Sequence, residues 1–164
     1  MNTSYERNGY FTEEELKDGI PPKELLGKKR VAVVECLQDI PCDACRNACK
    51  FSAVMKNDIN DPPKIDLDRC NACLQCVREC PGLAVFVLAI KNGKAEITIP
   101  WEMSWIPKVG ETVDVLGRNG QKVGKGVILR VIPPMKMNKT ALVTFETDED
   151  LIMKARNFRR ASNA

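Results

Sequence analysis

The chain has 164 residues, of which 44% are hydrophobic and 29% are charged, so it can form one ordinary domain or two small ones. Its net charge of +3 is mild and only 5% of its residues are aromatic, which argues against a nucleic-acid-binding surface. It contains no histidine, which excludes imidazole metal ligands and histidine acid–base catalysis.

The first 29 residues are predicted to form a polar extension. Within it, TEEELKDG can form a short helix, which Pro21-Pro22 would end. The opening residues lack the apolar core of a signal peptide, and the longest apolar run, residues 83–90, is too short to span a bilayer. We therefore expect a cytoplasmic protein without a membrane span.

Two cysteine groups follow, each beside a predicted strand. The β-branched run RVAVVE (residues 30–35) predicts a strand that leads into the first group, residues 35–50. Asp61-Pro62-Pro63 predicts a turn before the short strand PKIDL. The second group, CNACLQCVRECPG (residues 70–82), leads into LAVFVLAI, which is continuously apolar and therefore predicted to be a buried strand.

The rest of the chain contains no cysteine and has an alternating pattern. KNGK predicts a hairpin turn after residue 90, and residues 93–146 predict a small antiparallel, barrel-like β domain. Residues 147–164 are predicted to form a helix and a basic tail. The helix is expected because Thr147 and Asp150 resemble a capping box, and because one helical face would collect Leu151, Ile152, Ala155 and Phe158.

Trp101 and Trp105 lie between the two predicted modules. They are expected either to fill the seam between the modules or to anchor a partner, since aromatic residues are common binding hot spots.

The cysteine spacing distinguishes between three kinds of site. Disulfides are disfavoured in a reducing compartment, and structural zinc usually takes two separate CxxC pairs. Cys70, Cys73 and Cys76 instead place three thiols within seven residues, which wraps one loop around an object larger than a single ion. The run CxxCxxCxxxC-P is the pattern of bacterial ferredoxins, in which the fourth cysteine binds the other cluster.

Residues 30–92 thus resemble the dicluster bacterial ferredoxins. The resemblance implies an α+β, ferredoxin-like domain in which residues 30–35 pair near residues 84–90, with a cluster loop and a short helix in each half. It implies that one [4Fe–4S] cluster is bound by Cys70, Cys73, Cys76 and Cys49, and a second by Cys42, Cys45, Cys80 and a fourth ligand. Ala44 and Ala72 are small enough to let backbone N–H groups approach the sulfur atoms.

The first group departs from the ferredoxin pattern. Asp39 stands where the first cysteine is expected, and Lys50 replaces the proline expected after Cys49. We predict that Cys36 is the fourth ligand. The alternatives are that Cys36 is a buried thiol beside a three-iron cluster, or that a carboxylate is the ligand. Ile40-Pro41 is expected to cover this cluster, with the charge of Asp39 lowering its potential.

The chain has no nucleotide-binding glycine motif, so substrate chemistry is expected on another chain. The combination VAVVECLQDIPCDACRNAC … CNACLQCVRECPGLAVFV followed by a β module resembles the small iron–sulfur subunits of bacterial FAD-dependent amino-acid dehydrogenase complexes, especially those of anaerobes. Those complexes are of the proline, hydroxyproline and opine dehydrogenase and hydrogen cyanide synthase types.

This resemblance implies a non-catalytic electron-transfer subunit in a hetero-oligomer. FAD would be bound by partner flavoprotein subunits, and a small [2Fe–2S] subunit can accompany them. No nucleic-acid partner is expected. Two alternatives stay open: an electron-transfer subunit of another oxidoreductase, and an iron–sulfur sensor or structural module.

Overall fold

The computed structural model describes residues 4–16 and 19–161, and these form an α+β fold dominated by antiparallel strands. None of the helices in these ranges has the length and apolar character that crossing a membrane requires. The helices are α1 (Ser4–Asn8), α2 (Glu13–Leu16), α3 (Lys23–Leu26), α4 (Ala44–Ala48) and α5 (Gln75–Glu79), and the strands are β1 (Val31–Val34), β2 (Val54–Met55), β3 (Lys64–Ile65), β4 (Val85–Lys91), β5 (Lys94–Trp101), β6 (Thr112–Gly117), β7 (Lys122–Ile132), β8 (Ala141–Asp148) and β9 (Ala155–Arg160).

The cysteine-containing region is an internal repeat. Its first half is β1-α4-β2 and its second half is β3-α5-β4. β1 pairs antiparallel with β4, with Val31 opposite Leu88, and β2 pairs antiparallel with β3. Each sheet therefore joins a strand of one half to a strand of the other, and β1 and β4 pair as the ferredoxin resemblance implied.

Both faces of the β1–β4 pair are buried, which explains the continuous apolar character of these strands. Val31 and Val33 belong to the core of the β strands that follow. Ala32 and Val34 face the other way and pack in a second core, together with Cys45 and Cys76. The pair is thus a wall between the cysteine region and the rest of the protein.

The sheet continues without a break from the repeat into strands β5 to β9, which we call the β region. Asn92 and Gly93 have positive φ angles of 51° and 72°, as a tight hairpin requires, and they connect β4 to β5. Within the described residues, seven strands follow the order β1-β4-β5-β8-β7-β6-β9. The boundary that we place after residue 92 falls in this hairpin, and the division into domains stays a prediction.

The predicted C-terminal helix is wrong. Residues 149–151 form a single 3₁₀ turn, and residues 155–160 form β9, which pairs with β6. The hydroxyl of Thr147 donates to the carbonyl of Lys125 at 2.8 Å instead of capping a helix. Pairing with β9 satisfies the backbone groups along the edge of β6, which a helix at this place would leave unpaired.

The two tryptophans pack inside the β region, against β9. The Trp101 ring stacks on Phe158 at 4.3 Å between centroids, and Trp105 meets the Phe158 ring edge-on. The indole N–H of Trp101 donates to the carbonyl of Trp105. Trp101 is therefore a core residue of the β region, and it helps to hold β9 against β5.

The N-terminal extension contains α2 where a short helix was expected, although residues 17 and 18 of that stretch lie outside the described residues. Thr12 and Glu15 form a reciprocal cap, with the backbone N–H of Thr12 donating to the Glu15 carboxylate at 2.8 Å. Pro22 precedes α3, whose Leu26 is buried in the main core. The extension is thus packed onto the sheet.

A buried ion pair network links the end of β1 to the β region. Glu35 receives hydrogen bonds from Arg118, after β6, at 2.9 and 2.5 Å, and from Arg156 on β9 at 2.5 Å. Burial alone would raise the pKa of Glu35, but its hydrogen bond with Arg118 and the charge of Arg156 hold the pKa below its ordinary value. Glu35 directly precedes Cys36, so this network anchors the start of the first cysteine loop.

We expect Glu35→Gln to destabilise the protein strongly, because it leaves two buried arginines without a compensating charge. The loss is about 3 kcal/mol, which lowers the unfolding temperature of a chain of this size by about 6–12 °C. Anaerobic thermal unfolding followed by circular dichroism measures it. Asp148→Asn is the matched control, because it breaks an exposed pair with Lys94 that solvent screens, so it should change the unfolding temperature little. Equal effects of the two variants would contradict this account.

Candidate metal centre

One cavity is lined by four thiols, three from the first cysteine group and one from the second. The four are Cys36, Cys42, Cys45 and Cys80. The cavity encloses about 360 Å³ between the protein atoms, partly open to solvent, and Val34 and Val85 form its apolar wall. These are the four residues that we predict as ligands of the first cluster.

A second cavity mirrors the first. Its four thiols are Cys49, Cys70, Cys73 and Cys76, which are the predicted ligands of the second cluster. It encloses about 300 Å³, and Ala32 and Val54 contribute to its wall. The two cavities thus have similar sizes and each takes one thiol from the opposite half of the repeat.

The exchanged thiols, Cys49 and Cys80, have the same local geometry. Each follows a five-residue helix and has an extended backbone. Each sulfur accepts a hydrogen bond from the backbone N–H four residues later, from Ala53 at 3.3 Å and from Ala84 at 3.4 Å. Lys50 therefore occupies the place of Pro81 without changing this turn, and a proline is not needed there.

The loop around Cys70, Cys73 and Cys76 owes its tight path to left-handed backbone. Ala72 and Leu74 have φ angles of 55° and 71°. Such a conformation costs a non-glycine residue about 1–2 kcal/mol, so packing around the loop must maintain it. Ala44 lines the first cavity and Ala72 the second. The backbone N–H of Ala32 donates a further N–H···S bond to Cys70 at 3.4 Å.

The thiols that share a cavity lie close enough to influence one another's pKa. Burial and then the neighbouring Cys70 and Cys73 raise the pKa of Cys76 to about 12. Burial is the largest cause of the raised pKa of Cys36 and of Cys45, and the nearby Cys80 is the next largest. The positive charge of bound iron would offset this repulsion, and the thiols would release their protons on becoming ligands.

Cys49 differs from the other thiols. Burial alone would raise its pKa, but backbone N–H groups of Phe51, Ala53 and Val54 hold it below its ordinary value. Its thiolate is therefore stabilised by the fold itself, and N–H···S bonds of this kind are among the contacts that set the potential of a bound cluster.

We expected Ile40-Pro41 to cover the first cluster, and these two residues lie in the exposed segment 37–41. All five are exposed, Asp39 among them, although Ile40 lines the cavity at its mouth. Cys36 is half-buried and reaches the cavity, while Asp39 is not among the residues that line it. The arrangement favours Cys36 over Asp39 as the fourth donor, and its ligation stays a prediction.

Each donor set has the number and the type of ligands that a [4Fe–4S] cluster takes. Among residues 4–16 and 19–161, no three Cys, Asp or Glu side chains have the arrangement that holds one metal ion. Each set of four thiols lines one cavity, and three of the eight thiols, Cys49, Cys70 and Cys80, accept N–H···S bonds. Four separated thiolates with such hydrogen bonds are the ligand environment of a [4Fe–4S] cluster.

The second cysteine group also matches a known family. Residues 63–86, which include Cys70, Cys73, Cys76 and Cys80, match the 4Fe-4S binding domain. This match supports an iron–sulfur site of the ferredoxin type in residues 63–86, with at least one [4Fe–4S] cluster and an electron-transfer role. The comparisons found no matching curated protein and no matching solved structure.

The sequence analysis missed two features near the first cavity, Lys56 and Glu35. Lys56 lines the cavity, with its side chain 3% exposed. The strand pattern of RVAVVE assigns Glu35 no role beyond the end of the strand. An isolated lysine between two cysteine groups carries no recognisable pattern, but a carboxylate next to a predicted ligand at the end of an apolar strand could have suggested a buried partner.

We expect Cys36→Ala to damage only the first cluster, because Cys36 lines only one of the two thiol cavities. The four-iron signal assigned to the first cavity should become a three-iron signal or disappear, while the signal of the Cys70 group stays unchanged. Anaerobic EPR with iron and acid-labile sulfide assays measures this. Asp39→Ala is the matched control and should leave both signals intact. If Cys36→Ala retains both four-iron signals, Cys36 is a packed thiol and another group is the fourth ligand.

Proposed function

We propose that this chain is the electron-transfer subunit of a flavin-dependent amino-acid dehydrogenase complex, with one [4Fe–4S] cluster in each thiol cavity. When bound, a [4Fe–4S] cluster takes up and releases one electron at a time. The observation that carries the proposal is the pair of four-thiol cavities within one internal repeat. A pair of redox sites suits a chain that conducts electrons.

The two cavities are neighbours, which supports passage of electrons between them. Cys45 of the first cavity contributes to the raised pKa of Cys76 in the second, after burial and the thiols of the second cavity itself. Both residues are buried in one core, behind the β1–β4 wall. A path between the sites through these buried residues would be shielded from water.

Each cavity also approaches the surface, which supports exchange with partners at both ends. Cys73 is exposed at the second cavity, beside Phe51, whose side chain is 46% exposed. At the first cavity, Ile40 is 42% exposed and lines the mouth. Exposed apolar side chains at these rims suit docking by a protein and would exclude water from the contact.

The partner and its chemistry are proposed from the sequence resemblance. In this proposal flavoprotein subunits bind FAD and oxidise the amino acid, and this chain carries the electrons away, with a [2Fe–2S] subunit as a further member. The chain itself is non-catalytic and works in the cytoplasm. Its part is to hold both clusters and to offer each partner the exposed apolar residues beside one cavity.

The test uses the complete chain, prepared anaerobically. Reduced with dithionite and freed of excess reductant, it should pass electrons to benzyl viologen or cytochrome c and should oxidise neither proline nor a related amino acid. Affinity purification from the native host, with mass spectrometry of what accompanies it, should recover an FAD-containing protein. In that complex, Cys73→Ser should slow reduction of an external acceptor while leaving single-turnover flavin reduction by substrate intact.

The control for Cys73→Ser is Val109→Ser, which alters an exposed residue on the connection between β5 and β6. It should not change either rate. Amino-acid oxidation by the isolated chain would contradict a non-catalytic role. Recovery of a partner without flavin would contradict the flavoprotein assignment while leaving the electron-transfer role in place.

A further inference from the structure

A lysine with a buried side chain joins the two loops beside the first cavity. The ammonium of Lys56 donates hydrogen bonds to the carbonyls of Cys42 at 2.5 Å and Ile59 at 2.7 Å. Its side chain is 3% exposed, and it lines the cavity together with the four thiols. A cation this far from solvent acts on its neighbours with little screening.

Lys56 forms an ion pair with Asp43 but donates no hydrogen bond to it. Asp43 is the nearest carboxylate, with its Oδ1 at 3.8 Å, which is too long for a hydrogen bond. That Oδ1 is itself buried without a hydrogen-bond partner. Asp61 also lines the cavity, but its carboxylate accepts the backbone N–H groups of Asn57 and Asp58 at 3.2 and 2.9 Å.

The second cavity has no equivalent cation among the described residues, since its wall consists of uncharged side chains and the four thiols. The repeat explains this difference. Lys56 lies seven residues after Cys49, and the residue seven positions after Cys80 is Val87, which is buried on β4. One half of the repeat thus places a positive charge where the other half places an apolar side chain.

Resting on the two-cluster function proposed above, we propose that Lys56 is a positioning residue that also raises the reduction potential of the cluster bound by Cys36, Cys42, Cys45 and Cys80. Reduction adds one electron to that site, with no proton and no change of ligands. The added negative charge is favoured by a fixed ammonium nearby, so the cation shifts the equilibrium towards the reduced state. This effect opposes the lowering that we expected from Asp39, which lies exposed to solvent.

An anaerobic redox titration with dithionite, followed by EPR, tests the proposal on the complete chain. Lys56→Gln keeps hydrogen-bond donors and removes the charge. We expect about a tenfold fall in the ratio of reduced to oxidised first cluster at a fixed solution potential, which is about 59 mV for a one-electron couple. The second midpoint should stay unchanged, and Lys56→Arg should behave like the wild type. The Cys36→Ala variant identifies which signal belongs to the first cavity.

Lys64→Gln is the matched control, because it removes an exposed charge from β3, where solvent screens it. If Lys56→Gln cannot bind the first cluster, Asp43→Asn provides the test instead. Removing that carboxylate should raise the first midpoint, which is the opposite of the shift expected for Lys56→Gln. An unchanged first midpoint in Lys56→Gln, equal shifts of both midpoints, or no shift in Asp43→Asn would overturn the proposal. Wild-type protein without acid-labile sulfide would instead contradict the proposed function itself.

Discussion

The exchange of one cysteine between the two halves of the repeat is the constraint on which the rest of the structure depends. Cys80 completes the cavity of the first half and Cys49 that of the second, so neither cavity forms without both halves. The helices between them have five residues, and β2 and β3 have two residues each. Elements this short are not stable alone, and in the function that we propose the bound clusters would supply much of their stability.

The β region complements the repeat by fixing its two long strands. β4 pairs with β1 on one side and with β5 on the other, so the wall of the cavities is part of the seven-stranded sheet of the described residues. The Glu35 network adds a polar link at the end of β1, where the first cysteine loop begins. Buried charges of this kind favour one arrangement of the chain, because every displacement leaves a charge unpaired.

The sequence predicted local features well, and the non-local features that it predicted came from the ferredoxin resemblance. Spacing groups the thiols of one loop because they are close in the chain, whereas the exchange of Cys49 and Cys80 and the pairing of β1 with β4 follow from the resemblance. Glu35 could not be assigned its partners, which lie 83 and 121 residues away. The C-terminal helix failed for a related reason: Ala155 and Phe158 fit a helical face, but the unpaired edge of β6 decided the outcome. The position of Lys56 beside the first cavity depends on how the loops that contain Cys42 and Ile59 come together, which no local pattern reveals.

Anomalous diffraction at the iron edge, from crystals of the anaerobically prepared protein, tests the central claim most directly. The account predicts two iron peaks of equal weight, one in each cavity. Cys36 and Cys80 should belong to the first peak, and Cys49 and Cys73 to the second. A single peak, a signal at the zinc edge, or thiols joined as disulfides in either cavity would contradict it.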